Sequence, residues 1–206
     1  MKATETEFVV FDVETTGLFP ERGDRIIEIA GIKMKNGKIV ETISSFINPQ
    51  RDLPIEAQRV NNITVDMLDG APVAEDFLPK FAEFIGGACL AGHNVKFDLD
   101  FVCYQLSLMG RKLKDETPAF DTLKMAKTLM PHLGSFRLQS IAVALGVKVA
   151  ETHRALADVQ LTCGILNRLL GIAEARNIKT FQDIHNLFSV QKPFFKIKRD
   201  QQEMLF

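Results

Sequence analysis

Cysteine is scarce in this chain of 206 residues, and neither sign of charge prevails. The three cysteines, Cys89, Cys103 and Cys163, are odd in number, far apart and set among apolar residues, with no C-x-x-C pair. That argues against a disulfide framework and a cysteine-rich metal site, and it reads as core filling in a reducing compartment. Lys and Arg number 25 against 26 Asp and Glu, for a net charge of −1. The chain as a whole is therefore no polycationic coat for nucleic acid, and any polyanion binding has to come from a local patch or from bound cations. Basic residues do gather late, at Lys192, Lys196, Lys198 and Arg199, where a solvated tail is the plain reading. Long hydrophobic runs are missing too. No uncharged stretch approaches the roughly 18 residues of a membrane span, and residues 1–7 hold no apolar signal region. A soluble cytoplasmic protein with no membrane role is the expectation. Internal repeats and low-complexity linkers are also absent. What is present, 46% hydrophobic and 25% charged residues, suits one α/β domain with a sizeable core.

Residues 8–12, Phe-Val-Val-Phe-Asp, read as a strand buried on both faces and hence central in a sheet. Residues 25–34 and 38–47 flank Lys35-Asn36-Gly37, and the Asn-Gly pair predicts an antiparallel hairpin. Helices are predicted over 54–61 and 73–85, the second with Phe77, Phe81 and Phe84 at core spacing. A short strand at 88–91 precedes a helix over 97–109. Ala119-Phe120 suggests a fifth strand, followed by a helix that Pro131 stops. Further helices are expected at 138–145 and 154–170, ended by Gly146 and Gly171. Strands first, then strand–helix alternation, predict a mixed α/β sheet with helices on both sides. Residues 1–172 would form the domain and 173–206 an appendage.

Four acids stand where charge is costly. On a strand, Asp12 and Glu14 share a face about 7 Å apart, so both can reach one site at its carboxyl end. Asp98 shares its helix face with Phe101, Val102 and Met109, and Asp158 is in phase with Leu161, Ile165 and Leu169. Any one of them could cap a helix or pair with an arginine, Arg154 or Arg137 in the case of Asp158. Together they are harder to explain, because two like charges about 4 Å apart repel by roughly 4 kcal/mol at an effective dielectric of 20. Two Mg²⁺ or Mn²⁺ ions would neutralise the group, and all-oxygen ligands suit those hard cations. His153 lies five residues before Asp158, about 140° away on one ideal helix, which places it on the preceding loop. Its neutral imidazole has the basicity to take a proton from an attacking water.

Three segments, Phe11-Asp12-Val13-Glu14-Thr15-Thr16-Gly17-Leu18, His93-Asn94-Val95-Lys96-Phe97-Asp98 and His153-Arg154-Ala155-Leu156-Ala157-Asp158, resemble the motifs of the DEDDh exonucleases. This is the DnaQ-like group, with a ribonuclease H-like mixed five-stranded sheet flanked by helices. Asp121-Thr122-Leu123 and Arg137-Leu138 are similar to the proofreading exonuclease domain of the PolC-type polymerase. The resemblance covers roughly residues 7–172. It implies that Asp12, Glu14, Asp98 and Asp158 bind two divalent metals and that His153 is the general base. It also implies hydrolysis from a 3′ end, with release of nucleoside 5′-monophosphates. Thr15, Gly17 and Leu18 would border the terminal nucleotide, Phe97 would pack beneath the site, and Glu56 and Asn61 would approach the sugar and base. Asn61-Asn62 departs from the family's commoner His-Gly or Thr-Gly, which leaves the choice of DNA or RNA open.

The implied partner is a single-stranded 3′ end, DNA favoured, together with a DNA polymerase. Gln202-Glu203-Met204-Leu205-Phe206 resembles a peptide that docks into the sliding clamp; a disordered or self-packing tail is the alternative. Competing functions are an exoribonuclease, a non-catalytic module for DNA ends or a polymerase, and a small-molecule phosphohydrolase.

Overall fold

A computed structural model describes residues 1–149 and 154–196. Its sheet contains β1 (Phe8–Thr15), β2 (Ile26–Lys35), β3 (Lys38–Phe46), β4 (Cys89–Gly92), β5 (Ala119–Asp121) and β6 (Ser189–Val190), in the order β3-β2-β1-β4-β5-β6. β1, β2 and β3 pair antiparallel, β1, β4 and β5 parallel, and β6 closes the edge antiparallel to β5. The hairpin falls where Asn-Gly predicts it, with Asn36 and Gly37 at positive φ of 50° and 72°.

Helices α1 (Ile55–Asn61), α2 (Val65–Leu68) and α3 (Ala74–Ile85) lead to β4, and α4 (Lys96–Leu108) joins β4 to β5. After β5 come α5 (Thr122–Leu129), α6 (Leu138–Ala144), α7 (Ala155–Ala175) and α8 (Phe181–Phe188). Because side chains alternate along a strand, β1 feeds two cores. Phe8 and Val10 pack with Met125, Ile141, Ile165 and Ile184 from α5, α6, α7 and α8. Val9, Phe11 and Val13 meet Phe77, Phe81 and Phe84 of α3 and Leu99, Phe101 and Val102 of α4. The three α3 phenylalanines are core, as their spacing indicates.

Two features correct the sequence reading. The sheet has six strands rather than five, since Val190 returns to pair with Ala119. Two residues are too few to show alternation, so β6 left no periodic trace. α7 also runs past Gly171 to Ala175, because Ala173 continues its buried stripe and outweighs a single glycine costing about 1 kcal/mol. Among the described residues α7 is the one helix long and apolar enough to cross a bilayer. Its apolarity is accounted for by burial: Val159, Ile165, Leu166 and Leu169 are fully enclosed against β1 and β2. All three cysteines are buried and free, and burial raises their thiols to about 11 for Cys89 and about 12 for Cys103 and Cys163. Thiols held that high are inert fillers at neutral pH.

Candidate active site

The parallel partner of β1 stops early. β4 pairs with β1 only as far as Val10 opposite Ala91, whereas β1 continues to Thr15. Past that point β1 has an open edge at the carboxyl end of the sheet, where ligands gather in open α/β folds. On that projecting piece Asp12 and Glu14 continue the face of Phe8 and Val10, toward α7. Gly92 ends β4 against β1; a Cβ there would sit 2.8 Å from Val95 and 3.1 Å from the Phe11 carbonyl oxygen.

Asp98 lies in the first turn of α4, 2% exposed, and its Oδ1 accepts the N–H of Val13 at 3.0 Å. The open edge of β1 is thus capped by an acid whose own position at a helix start is favourable. The first turn of α7 supplies Asp158. Carboxylate oxygens of Asp12, Glu14 and Asp158 lie within 4.8 Å of one another. Asp98 stands beside this trio rather than in it, with one oxygen committed to Val13.

The electrostatics follow from that crowding. Burial, then the charges of Asp98, Glu14, Asp158 and Glu28, hold Asp12 well above the usual carboxylate range. Burial also raises Asp98, against the opposing pull of the Val13 N–H. Glu14 is pushed up to about 8 by burial, then by Asp158 and Glu28, with Arg154 opposing. At about 8 the Glu14 carboxyl is largely protonated near neutrality; a divalent cation would supply the counter-charge the group lacks. The donor set of carboxylate oxygens fits Mg²⁺ or Mn²⁺.

Glu28 is a residue that the sequence reading missed. It lies opposite Glu14 on β2, is 5% exposed, and takes Arg154 Nη2 at 3.0 Å and Arg154 Nε at 3.3 Å through Oε1. Its Oε2 accepts the N–H of Ala155 at 3.1 Å, the first residue of α7. Arg154, a candidate partner for Asp158 on sequence grounds, therefore serves Glu28, and together they pin the start of the helix that carries Asp158. The available signal was a lone charge inside Ile26-Ile27-Glu28-Ile29-Ala30, an otherwise continuous buried run.

Of the remaining candidates, Thr15, Gly17 and Leu18 lie at the end of β1 and in the loop after it. Thr15 donates its hydroxyl to the Gly17 carbonyl at 2.6 Å, and its own carbonyl receives Asn61 Nδ2 at 3.0 Å. Asn61, 5% exposed, is a buried brace between α1 and β1. Gly17 sits against Asp24, whose carboxylate would clash with a Cβ there. Leu18 is 66% exposed and Phe19 50%, so this loop presents an apolar tip to solvent. Glu56 is exposed on α1, and Phe97 packs against Phe101, its ring tilted by 49° with centroids 5.1 Å apart. His93 supports the turn before Asp98, its ring nitrogens 3.1 Å from Thr122 Oγ1 and 3.2 Å from the Phe136 carbonyl. His153 and residues 202–206 lie outside the described residues.

Carboxylates converging at the carboxyl end of β1 on a mixed sheet define a candidate site for divalent cations. Residues 9–166 match the model of the exonuclease family, the RNase T group, and the chain belongs to that family. The DNA polymerase III PolC-type of Clostridium perfringens is 36% identical over 190 residues, covering 92% of this chain and 13% of the polymerase. The chain thus spans about an eighth of the length of such relatives. Among solved structures, Exonuclease X in complex with 5′ overhanging duplex DNA superposes with a TM-score of 0.69 at 24% identity, covering 87% of this chain and 98% of that one. A 3′-exonuclease solved for 3′-end specific recognition of a histone mRNA stem-loop gives 0.71 at 18% identity, covering 95% and 74%. Both likenesses support the ribonuclease H-like fold that the motifs imply.

Proposed function

We propose that the protein is a metal-dependent 3′–5′ exonuclease that hydrolyses the terminal phosphodiester of DNA and releases nucleoside 5′-monophosphates, in proofreading or repair. The observation that carries the reading is the convergence of Asp12, Glu14 and Asp158 within 4.8 Å, with Asp98 buried beside them. These four would hold two Mg²⁺ or Mn²⁺ ions. When bound, the ions supply the charge that draws in the phosphodiester and stabilises the departing 3′ oxygen. The chain's own part is positioning and proton transfer. Val13 holds Asp98 and Glu28 holds the start of α7, so the acids meet with little freedom left to lose. His153, two residues before Ala155, would take the proton of the attacking water. Leu18, exposed at the loop tip, would wedge against the terminal base, with Thr15, Gly17, Glu56, Asn61 and Phe97 around it.

DNA is favoured because the relatives that cover most of this chain are named as DNA polymerases, which also suggests a polymerase partner. The likeness to an exonuclease solved for recognition of histone mRNA supports the rival substrate, RNA ends or short oligoribonucleotides. A role for residues 202–206 in clamp docking, and cytoplasmic localisation, rest on the sequence reading. The test is digestion of matched, end-labelled DNA and RNA oligomers with and without EDTA. The proposal expects metal-dependent loss of nucleotides from the 3′ end, faster on DNA. A preference for RNA of about a hundredfold, some 2.7 kcal/mol in transition-state stabilisation, would transfer the assignment to RNA.

A further inference from the structure

A second concavity, of about 350 Å³, opens between the β1–β2 loop, the segment following β3, and helices α3 and α4. None of the four acids lines it. Its walls include Arg22, Arg25, Arg51 and Gln105. Arg25 is half-buried and, among the described residues, gives its guanidinium only to the carbonyls of Pro20, at 3.5 Å, and Asp24, at 3.0 Å. Among the described residues no carboxylate lies within ion-pair distance of Arg25 or Arg22. Arg51 is shared between Asp24 Oδ1 at 3.2 Å and the Gly23 carbonyl.

Gln105 supplies the independent sign of a ligand. It is 3% exposed on α4, and its Nε2 is the one buried side-chain polar atom among the described residues with no hydrogen-bond partner. A buried amide N–H without an acceptor lowers stability, and leucine would fill the same space without that loss. α3, 12 residues long, starts at the rim through Ala74 and Glu75, and its N-cap Val73 makes no side-chain cap. The positive end of its dipole therefore faces the same space. Opposing charge comes from Asp24, already engaged by Thr16, Phe19 and Arg51, and from the exposed Glu75.

We propose that this concavity binds a phosphoryl group, held by Arg22, Arg25, Arg51 and the Gln105 amide. Three guanidinium forks and an amide offer more donors than the two oxygens of a carboxylate can accept, whereas a phosphoryl group presents three or more. Two sources share that chemistry: an upstream phosphate of the bound strand, or free phosphate. Seven residues of α4 separate Asp98 from Gln105, about 10 Å of helix rise, or between one and two phosphate-to-phosphate steps of an extended strand. The strand version rests on the exonuclease reading; the phosphate site itself does not.

The primary test is thermal unfolding in EDTA, with inorganic phosphate titrated against chloride at matched ionic strength. Without cations the acid cluster repels phosphate, so it contributes no competing signal. Wild-type Tm is expected to rise by about 5 °C. Gln105→Leu should start above wild type and lose most of the rise, and Arg22→Gln should lose most of it from a wild-type starting point. Equal rises in all three proteins, or no rise in wild type, would overturn the proposal. The second arm compares KM for 12- and 2-nucleotide single-stranded DNA, the shorter having no phosphate upstream of the scissile one. A strand phosphate predicts that the advantage of the longer oligomer shrinks about tenfold in Gln105→Leu, and free phosphate predicts that it is unchanged. A protein inactive on DNA would defeat the exonuclease reading and leave the thermal result standing.

Discussion

Raising the pH of the cation-free protein should weaken it, and Glu14 sets the size of the effect. Its carboxyl titrates at 4.5 when unperturbed and at about 8 in the fold. The folded state therefore holds a proton that the unfolded state has released across this window, so stability falls as pH rises and levels off above about 8. The slope for one such group reaches about 1.4 kcal/mol per pH unit, and the full displacement corresponds to about 5 kcal/mol before solvent screening. Screening at its partly exposed edge reduces that, and a loss on the order of 3 kcal/mol between pH 5.5 and 8 is a large share of a typical 5–15 kcal/mol. Burial depresses His93, which works in the opposite sense below its ordinary 6.5, so the cleanest interval is pH 6.5 to 8. The assay is urea unfolding across that interval in EDTA and in excess Mg²⁺, for wild type and Glu14→Gln. Wild type in EDTA should lose stability, Mg²⁺ should restore most of it at pH 8, and Glu14→Gln should show a clearly shallower slope, with the raised Asp12 and Asp98 still contributing in the same sense. Equal slopes for wild type and Glu14→Gln in EDTA would refute the reasoning.

Four other outcomes are expected. Asp12→Ala should abolish cleavage with an unchanged circular dichroism spectrum, and His153→Ala should slow turnover by two or more decades in a labelled-oligomer assay; undiminished turnover in either would remove that residue's role. Glu28→Gln should lower unfolding free energy by about 1–3 kcal/mol and reduce turnover as the start of α7 loosens, and wild-type values for both would show that the Arg154 and Ala155 contacts are incidental. Deleting residues 202–206 should reduce retention on an immobilised sliding clamp while oligomer turnover stays constant; equal retention would dispose of the docking peptide.

The acids were legible because each breaks a pattern that burial enforces. Asp12 and Glu14 interrupt an apolar strand in one parity, and Asp98 falls on an apolar helical face. What stayed hidden was pairing between segments distant in sequence. Glu28 reads as one more strand residue until Arg154, 126 positions away, is seen to meet it. The Asn61 amide holds the Thr15 carbonyl, a bond that no local pattern announces. β6 escaped detection because a two-residue strand owes its existence to β5, and Gly171 misled because a helix end is set by packing as much as by propensity.

The late pairing of Val190 with Ala119 also decides where attachments can go. β6 is the third strand from β1, so residue 191, where the chain leaves the sheet, stands about 14 Å to the side of β1, at 4.8 Å per strand. A dye, an affinity handle or a fused neighbour placed there would leave the cleft accessible to its polymer.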